Sequence, residues 1–218
     1  TCRATAFRDL QSGIDACPVG GSVWVAAGVY HPWRRPNGGD PNTEATCHFS
    51  LRNGVTVHGG FPADPVDGLP ETADLATRDP AAHRTIVSGD MGDDDINDDG
   101  NDVAETWEDI RGQNVHCLFY HPPSLALDHS AVLDGIVLTG GMANAADDPY
   151  YRGNPFGRGA GMHNERCSPT LRNCVFSGNT AVESGGGLYS TEASPLVVRT
   201  SFEGNRAKHG GAAYQARE

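Results

Sequence analysis

The sequence predicts an all-β chain folded as a right-handed parallel β-helix with a short N-terminal capping α-helix. Three observations predict it: an internal repeat of 26 residues near the C-terminus, short alternating β-type runs broken by Gly and Asn, and one amphipathic stretch at the start. A fixed period in the twenties is typical of solenoids, in which each repeat forms one coil. No helical periodicity fits inside such a unit, so the coils are predicted to consist of strands.

The internal repeat lies between Gly159 and Gln215, where the chain copies itself. Six residues return 26 positions later, namely Ser168, Pro169, Phe176, Gly178, Asn179 and Ala181 as Ser194, Pro195, Phe202, Gly204, Asn205 and Ala207. A glycine pair follows each copy, Gly185 and Gly186 in the first and Gly210 and Gly211 in the second. Asn tolerates left-handed backbone and its amide can bond along a ladder, so Asn179 and Asn205 predict a stacked-asparagine turn.

This repeat resembles that of the polymorphic outer-membrane proteins and related bacterial β-helix surface proteins. Those proteins carry a Gly-Gly-Ala element and a Phe-x-x-Asn element in each coil. The first element matches Gly210 to Ala212, and the second matches both Phe176 to Asn179 and Phe202 to Asn205. The earlier glycine cluster departs from the pattern, because Gly187 replaces the alanine. The resemblance implies a β-helix that is secreted or displayed on the cell surface.

The amphipathic stretch runs from Thr5 to Cys17 and predicts the α-helix. Its apolar residues recur at spacings of 3, 4 and 3 and form one face: Phe7, Leu10, Ile14 and Cys17. The first coil of a solenoid exposes apolar core and unpaired strand edges. Residues 1–21 are therefore predicted to form a helical cap that covers this end, with a partner-binding helix as the alternative.

The whole chain, residues 1–218, is predicted to be a single domain. After the cap, residues 22–158 are predicted to form irregular coils with long loop insertions, because β-type runs there alternate with stretches rich in Pro, Gly and Asp. Residues 159–218 are predicted to form regular coils of 26 residues, and the total is six to seven coils. The last coil has no capping sequence, so its open end is predicted to contact neighbouring domains or a second copy.

The acidic composition limits the classes of partner. The net charge is −12, from 16 basic and 28 acidic residues, and it repels nucleic-acid phosphates and anionic lipids. No apolar run approaches the roughly 18 residues that a transmembrane helix needs. The chain begins at Thr1 without a signal peptide, which indicates a processed or excised chain. We expect a secreted or cell-surface protein that binds neither nucleic acid nor the interior of a membrane.

An even number of cysteines without a CxxC motif predicts disulfides or buried thiols in an exported protein. The six candidates are Cys2, Cys17, Cys47, Cys117, Cys167 and Cys174. Cys2 with Cys17 is the favoured pair, since it would clamp the first segment. A zinc site is an alternative, because His48 follows Cys47 and His116 precedes Cys117. Neighbours on a strand point to opposite faces, which disfavours that site.

The sharpest local motif is the acidic run from Asp93 to Asp102. Within it, alternating oxygen-bearing residues followed by Gly100 match the first half of an EF-hand-like loop. The match then fails, because Thr106 stands where a bidentate Glu belongs. The sequence predicts a Ca²⁺ site with five candidate ligands: Asp93, Asp95, Asn97, Asp99 and Asn101. A solvated acidic loop is the alternative.

Two function classes follow from the predicted fold. Many β-helices are carbohydrate enzymes, whose paired carboxylates lie about 5–9.5 Å apart. The equivalent positions of the two regular repeats hold Arg172 with Val198 and Asn173 with Arg199, so they form no carboxylate ladder. Aromatic residues in loops could stack on sugars or cover the solenoid flank: Trp33, Tyr150, Tyr151 and Phe156. The sequence predicts a structural or adhesive surface module without catalysis, with a Ca²⁺-assisted polysaccharide lyase or a glycoside hydrolase as the alternative.

Overall fold

Short parallel strands form the wall of the molecule. The computed structural model describes residues 7–35, 44–63, 74–144 and 157–216, and every strand pair in it is parallel. The strands are β1 (Ser22–Ala26), β2 (Gly28–Tyr30), β3 (Thr56–Phe61), β4 (Thr85–Ser88), β5 (Phe119–His121), β6 (Val132–Asp134), β7 (Ile136–Thr139), β8 (Met142–Ala143), β9 (Met162–Glu165), β10 (Thr170–Arg172), β11 (Val175–Ser177), β12 (Thr180–Ser184), β13 (Leu188–Thr191), β14 (Leu196–Val198), β15 (Ser201–Glu203), β16 (Arg206–His209) and β17 (Ala213–Ala216). The one α-helix among the described residues is α1 (Leu10–Ala16), and two 3₁₀ turns span Glu44–Thr46 and Pro123–Leu125.

The strands stack into four sheets, which the chain visits in a fixed order. Sheet A contains β1, β3, β6, β10 and β14, and sheet B contains β2, β4, β7, β11 and β15. Sheet C contains β8, β12 and β16, and sheet D contains β5, β9, β13 and β17. This arrangement confirms an all-β parallel solenoid. The described residues form five coils, numbered 1 to 5 in chain order, which is fewer than the six to seven predicted for the whole chain. The difference arises because the first half has long connections between its strands, and the prediction counted those residues as coils.

The 26-residue repeat corresponds to one coil. β10 pairs with β14 and β11 pairs with β15 in the register that the repeat predicts, so equivalent residues are direct neighbours. Phe176 lies on Phe202 with ring centroids 4.8 Å apart and an interplanar angle of 14°. The side chain of Asn179 donates to Oδ1 of Asn205 at 3.0 Å, as expected for a stacked-asparagine turn. Identical residues therefore stack along the axis and keep the coils in register.

The corners of each coil use left-handed backbone at equivalent positions. The residues with positive φ at these corners are Gly135, Asn173 and Arg199; Gly140, Gly178 and Gly204; Gly159, Gly185 and Gly210; and Ala126, Arg166 and Glu192. Glycine is required at Gly178, because a Cβ there would clash with the carbonyl oxygen of Ala104. The exposed corners accept side chains instead, and Arg166 pairs with Glu192 of the next coil at 2.5 Å.

The core lies inside the coils and is apolar. Its fully buried large side chains include Phe49, Phe61, Phe119, Phe176, Leu133, Leu138, Ile136 and Met162. Burial of one such side chain contributes about 1.5–3 kcal/mol to the free energy of folding. The alternation that places them inside also points every second residue of the same strands outward.

The predicted N-terminal helix is present but shorter than the stretch from Thr5 to Cys17. α1 begins at Leu10, and the carboxylate of Asp9 caps it by accepting two backbone N–H groups of the first turn. Phe7 is 48% exposed, so it does not belong to the buried face of the helix. Residues 1–6 lie outside the described part of the chain.

Helix α1 covers the apolar end of coil 1. Leu10 and Ile14 are buried in the main core cluster together with Val25 of β1. The side-chain amide of Gln11 donates to the carbonyl of Ser50 at 3.0 Å and accepts from the N–H of Ser50 at 2.7 Å. The cap is therefore attached through a polar contact to the segment that precedes β3.

The insertion between β3 and β4 is held against sheet A by a buried ion pair. Arg78 donates to the carboxylate of Asp134 at 2.5 Å, and His58 and Asn173 also contact that carboxylate. Burial raises the pKa of Asp134, but hydrogen bonds from His58, Asn173 and Arg78 outweigh it, so the pKa lies well below its usual range. Asp134 therefore remains ionised and clamps the insertion to the wall.

We expect the substitution Asn179→Ala to lower the free energy of unfolding by about 2–3 kcal/mol, because it leaves buried backbone groups without partners. The amide of Asn179 is fully buried and bonds Leu138, Gly141 and Asn205 in the adjacent coils. Urea unfolding followed by circular dichroism measures the change. Asn205→Ala is the matched control, since that residue is half-buried and lies at the end of the ladder. An equal loss of unfolding free energy in Asn179→Ala and Asn205→Ala would contradict a ladder in which Asn179 is the central residue.

Candidate functional site

The acidic run belongs to a long connection between β4 and β5, and residues 91–113 of it form what we call the acidic strap. The strap lies against the wall and crosses coils 3, 4 and 5. The N–H of Ala104 donates to Oγ1 of Thr139 at 2.9 Å, and Oγ of Ser177 donates to the carbonyl of Ala104 at 2.8 Å. Further along, the N–H of Trp107 donates to the carbonyl of Gly204 at 3.2 Å. The solenoid therefore holds the strap at one point in each of three coils.

A cation–π contact secures the far end of the strap. The guanidinium of Arg206 lies 3.8 Å from the centroid of the Trp107 indole. Such contacts contribute about 0.5–1 kcal/mol at exposed sites. Trp107 is 38% exposed, so this end of the strap lies at the surface.

Three carboxylates converge at the beginning of the strap. One oxygen from each of Asp90, Asp94 and Asp95 lies within 4.8 Å of the other two, and this is the only such His, Cys, Asp or Glu group among the described residues. Asp90 accepts the N–H groups of Gly92 and Asp95, both at 3.0 Å. These bonds fold the chain back on itself and bring the three side chains together.

Two neighbours position Asp95 within this group. Its carboxylate accepts the N–H of Arg111 at 2.6 Å and the side-chain amide of Asn114 at 2.9 Å. Burial raises the pKa of Asp95 to about 6, and the charges of Asp90 and Asp94 also raise it, against these two hydrogen bonds. The folded chain therefore holds three mutually repelling carboxylates, an arrangement that a cation would stabilise.

The predicted Ca²⁺ ligands are only partly brought together. Asp95 belongs to the carboxylate group, and both Asp93 and Asn97 line the adjacent cavity. The residues from Asn97 to Asn101 also bond to one another. Oδ1 of Asn97 accepts the N–H of Asn101 at 2.9 Å, and the Asn101 amide donates to Asp99 at 2.6 Å. These residues form a turn closed by its own side chains.

Sequence reasoning missed Asp90 and Asp94. Asp90 lies outside the acidic run, just after β4, and its side chain turns back toward the strap. Asp94 lies between Asp93 and Asp95, two of the predicted ligands, at a position that the alternating pattern of ligands skips. Their proximity to Asp95 comes from the fold of the strap, and the only sequence signal was the density of aspartate.

A cavity of about 160 Å³ lies between the strap and the outer face of sheet B. Its lining includes Val29, His31, Ser88, Asp90, Asp95 and Thr139. Nδ1 of His31 is buried and has no hydrogen-bond partner. The polar groups of this mixed lining suit water or a small cation, and the cavity is too small for a sugar chain to thread.

Among the described residues, the structure shows none of the disulfides that the cysteine count predicts. Cys47, Cys117, Cys167 and Cys174 are buried free thiols. Cys17 is also buried, and its favoured partner Cys2 lies outside the described residues. Burial raises the pKa of Cys174 to about 11, so this thiol stays protonated. The zinc alternative is not supported either, because the described part of the chain groups no Cys and His side chains closely enough to hold a metal.

The aromatic loops are only partly described. Trp33 is 59% exposed, and the guanidinium of Arg34 lies 5.6 Å from its ring centroid. Tyr150, Tyr151 and Phe156 lie outside the described residues. A sugar-binding role for these loops therefore stays a prediction.

Comparison with known proteins identifies the repeat. Residues 173–191 match the family model of the Chlamydia polymorphic membrane protein repeat. The match covers β11, β12 and β13 of coil 4, which is a short part of the chain. No curated protein and no solved structure matches the chain. In the described residues, no helix has the length and apolarity to cross a membrane. The chain is thus similar, in one coil, to bacterial proteins of the outer membrane and cell surface.

Proposed function

We propose that this chain is a right-handed β-helical module of a bacterial surface protein, with a structural or adhesive role and no catalytic activity. The observation that carries the proposal is the matched repeat at residues 173–191. This segment folds as a coil whose strands pair on both sides with coils 3 and 5. A repeat typical of surface proteins therefore forms one coil of a continuous solenoid, stacked between two other coils.

The outer face of the regular coils supports a structural role. Several of its charged residues pair along the axis, as in Arg166 with Glu192 and Arg158 with Glu183. Arg199 donates to Oδ1 of Asn173 at 2.9 Å in the same manner. Ladders of this kind rigidify a rod and occupy the groups that a catalytic site on these coils would use.

An antibody raised against the purified chain tests the surface location. We expect it to label intact cells of the source bacterium, and we expect brief protease treatment of those cells to remove the signal. Labelling that requires permeabilised cells would overturn the proposal. The purified chain, incubated with a panel of acidic polysaccharides, should produce no ultraviolet absorbance from unsaturated products and no new reducing ends.

We further propose that coil 5 contacts neighbouring domains or a second copy of the chain. In the described residues, the strands of coil 5 pair only with coil 4. Leu196, Val197 and Tyr214 are 47%, 41% and 39% exposed on this coil. Apolar side chains next to unpaired strand edges favour association with another β structure.

Sedimentation velocity over a range of concentrations tests self-association. We expect the 218-residue chain to form larger species as concentration rises, and Val197→Lys to suppress them because it places a charge in the contact. Val19→Lys is the control, since that residue is 76% exposed at the opposite end. A wild-type chain that stays monomeric would leave neighbouring domains as the contact and would contradict association between copies.

We also propose that Ca²⁺ binds at the start of the acidic strap, with Asp90, Asp94 and Asp95 as the shared ligands. The support is the convergence of the three carboxylates within 4.8 Å. Carboxylate oxygens are the ligands that Ca²⁺ prefers, and the cation would remove the repulsion between them. Of the five ligands predicted from the sequence, this assignment retains only Asp95. Asp90 and Asp94 replace the other four.

Thermal unfolding with and without Ca²⁺ tests this site. We expect millimolar Ca²⁺ to raise the midpoint by about 2–4 °C for each kcal/mol of linked binding, and Asp95→Asn to abolish the shift. Because the folded pKa of Asp95 is raised to about 6, its charge lowers stability above that pH, so Asp95→Asn should be the more stable chain at pH 8 without Ca²⁺. Asp99→Asn is the matched control and should keep the Ca²⁺ response. A wild-type midpoint that Ca²⁺ leaves unchanged would refute the site.

A further inference from the structure

The segment that holds the helical cap is bonded to a fully buried histidine. His121 in β5 is 0% exposed, and its Nε2 accepts the N–H of Leu51 at 3.1 Å. Its Nδ1 lies 2.7 Å from Oδ1 of Asn164, so Nδ1 carries the proton and Nε2 has none. The neutral imidazole thus joins β5 of coil 2 to the chain just before β3. Protonation would place an N–H group against the N–H of Leu51 and break that bond.

A second buried histidine lies in the same segment. His48 is 1% exposed, and its Nδ1 lies 3.0 Å from the carbonyl oxygen of Thr46. Its Nε2 is buried without a hydrogen-bond partner. A proton on Nε2 would therefore be a buried charge that no group compensates. Burial lowers the pKa of both His48 and His121 to about 4, so both are neutral near pH 7.

The same segment carries the cap. Residues 47–51 contain Ser50, and the two hydrogen bonds between Ser50 and Gln11 attach α1 to the solenoid. The segment itself is joined to coil 2 by one isolated bridge, Phe49 with Phe119, rather than by a full strand. Two backbone bonds accompany this bridge, from the N–H of Phe49 to the carbonyl of Leu118 and from the N–H of Tyr120 to the carbonyl of Phe49, and they lie next to the two histidines along the chain.

The geometry points to an acid-sensitive latch: protonation of His121 and His48 releases residues 47–51 and the helix α1 from the solenoid while coils 4 and 5 stay folded. The direction follows from linkage. Both histidines bind protons more weakly in the closed form than in an open one, so acid favours opening. The destabilisation of the closed form begins near the ordinary histidine pKa of about 6.5 and reaches its full size near pH 4.

Other charged and titratable groups surround the latch. Arg35 lies near His48, and the coil packed against β5 places His163 and Glu165 near His121 and Tyr120. Nε2 of His163 lies 3.3 Å from Oε1 of Glu165, which gives that histidine an acidic partner. Further groups within these elements are His116, Cys47, Cys117, Tyr189 and Arg158. Positive charge already present at Arg35 adds to the cost of protonating His48.

The cap carries charges of its own. Asp9 and Asp15 contact Arg34 at 3.4 and 2.9 Å, and Arg52 donates to backbone carbonyls at the end of α1. Burial raises the pKa of Asp9, but hydrogen bonds from Ser12 and Trp33 and the charge of Arg34 outweigh it. The pKa of Asp9 is therefore below its ordinary value, and this carboxylate stays ionised while the histidines titrate.

Hydrogen exchange measured by mass spectrometry between pH 7.5 and pH 4.5 tests the latch on the whole chain. After correction for intrinsic exchange, opening of peptides that cover residues 9–17 and 47–51 should increase about tenfold per pH unit below 6.5 for one histidine, and up to about a hundredfold for two. Peptides from coil 4 are the internal reference and should change little. Opening of all coils together, or no change at the cap, would overturn the proposal.

The double variant His48→Gln/His121→Gln separates the histidines from the carboxylates. Glutamine keeps a donor and an acceptor at these positions but cannot take up a proton, so the acid-induced opening at residues 9–17 should disappear. His209→Gln makes the same chemical change at an exposed residue and should behave as wild type. A double variant that still opens with the wild-type pH profile would assign the effect to carboxylates and refute the latch. If the double variant fails to fold, the test of the latch is the pH dependence of hydrogen exchange in the wild-type chain, compared between the cap and coil 4.

Discussion

The register between successive coils is the constraint on which this structure depends. Each strand of coils 4 and 5 pairs in parallel with its equivalent in the adjacent coil, so Phe176 stacks on Phe202 and Asn179 bonds to Asn205. Side chains alternate between the two faces of a strand, and a slip of one residue would expose the whole apolar row. The stacked residues make that slip costly at several points of every coil. Corners with left-handed backbone then recur at fixed places because the strands between them have fixed lengths.

The first half of the chain departs from the repeat without breaking the solenoid. Its insertions are secured to the wall by polar contacts, through Arg78 to Asp134 in one case and through Ala104 to Thr139 and Ser177 in another. Such contacts satisfy backbone and side-chain groups that the insertion would otherwise bury without partners. The acidic strap also holds Asp95, whose pKa burial raises. The regular coils thus form the repeated wall, and the insertions carry the group of three carboxylates.

The candidate cation site shows where local spacing stops being informative. An EF-hand-like pattern assumes that alternate residues turn toward one centre, and Asp95 is the only one of the five predicted ligands that joins the carboxylate group. Asn97, Asp99 and Asn101 instead satisfy one another, since short polar side chains readily bond to nearby backbone. Asp90 enters the group from the end of a strand. In the same way, an even number of cysteines predicted pairs, whereas Cys117, just before β5, and Cys174, between β10 and β11, are buried singly in the core.

The sequence by itself determined the all-β solenoid, the 26-residue coil, the inward residues such as Phe176, the stacked asparagines and the existence of an N-terminal helix. These features follow from interactions between equivalent residues of neighbouring repeats, which a periodic sequence displays directly. Only the tertiary structure decided the number of coils, the place of the acidic strap on coils 3 to 5, and the meeting of Asp90 with Asp95. The position of an insertion depends on contacts with residues far away in the chain, as between Trp107 and Arg206, and no local period encodes them. For the same reason, the hydrogen bond from the N–H of Leu51 to Nε2 of His121, next to the residue that holds the cap, could not be predicted before the coils were stacked.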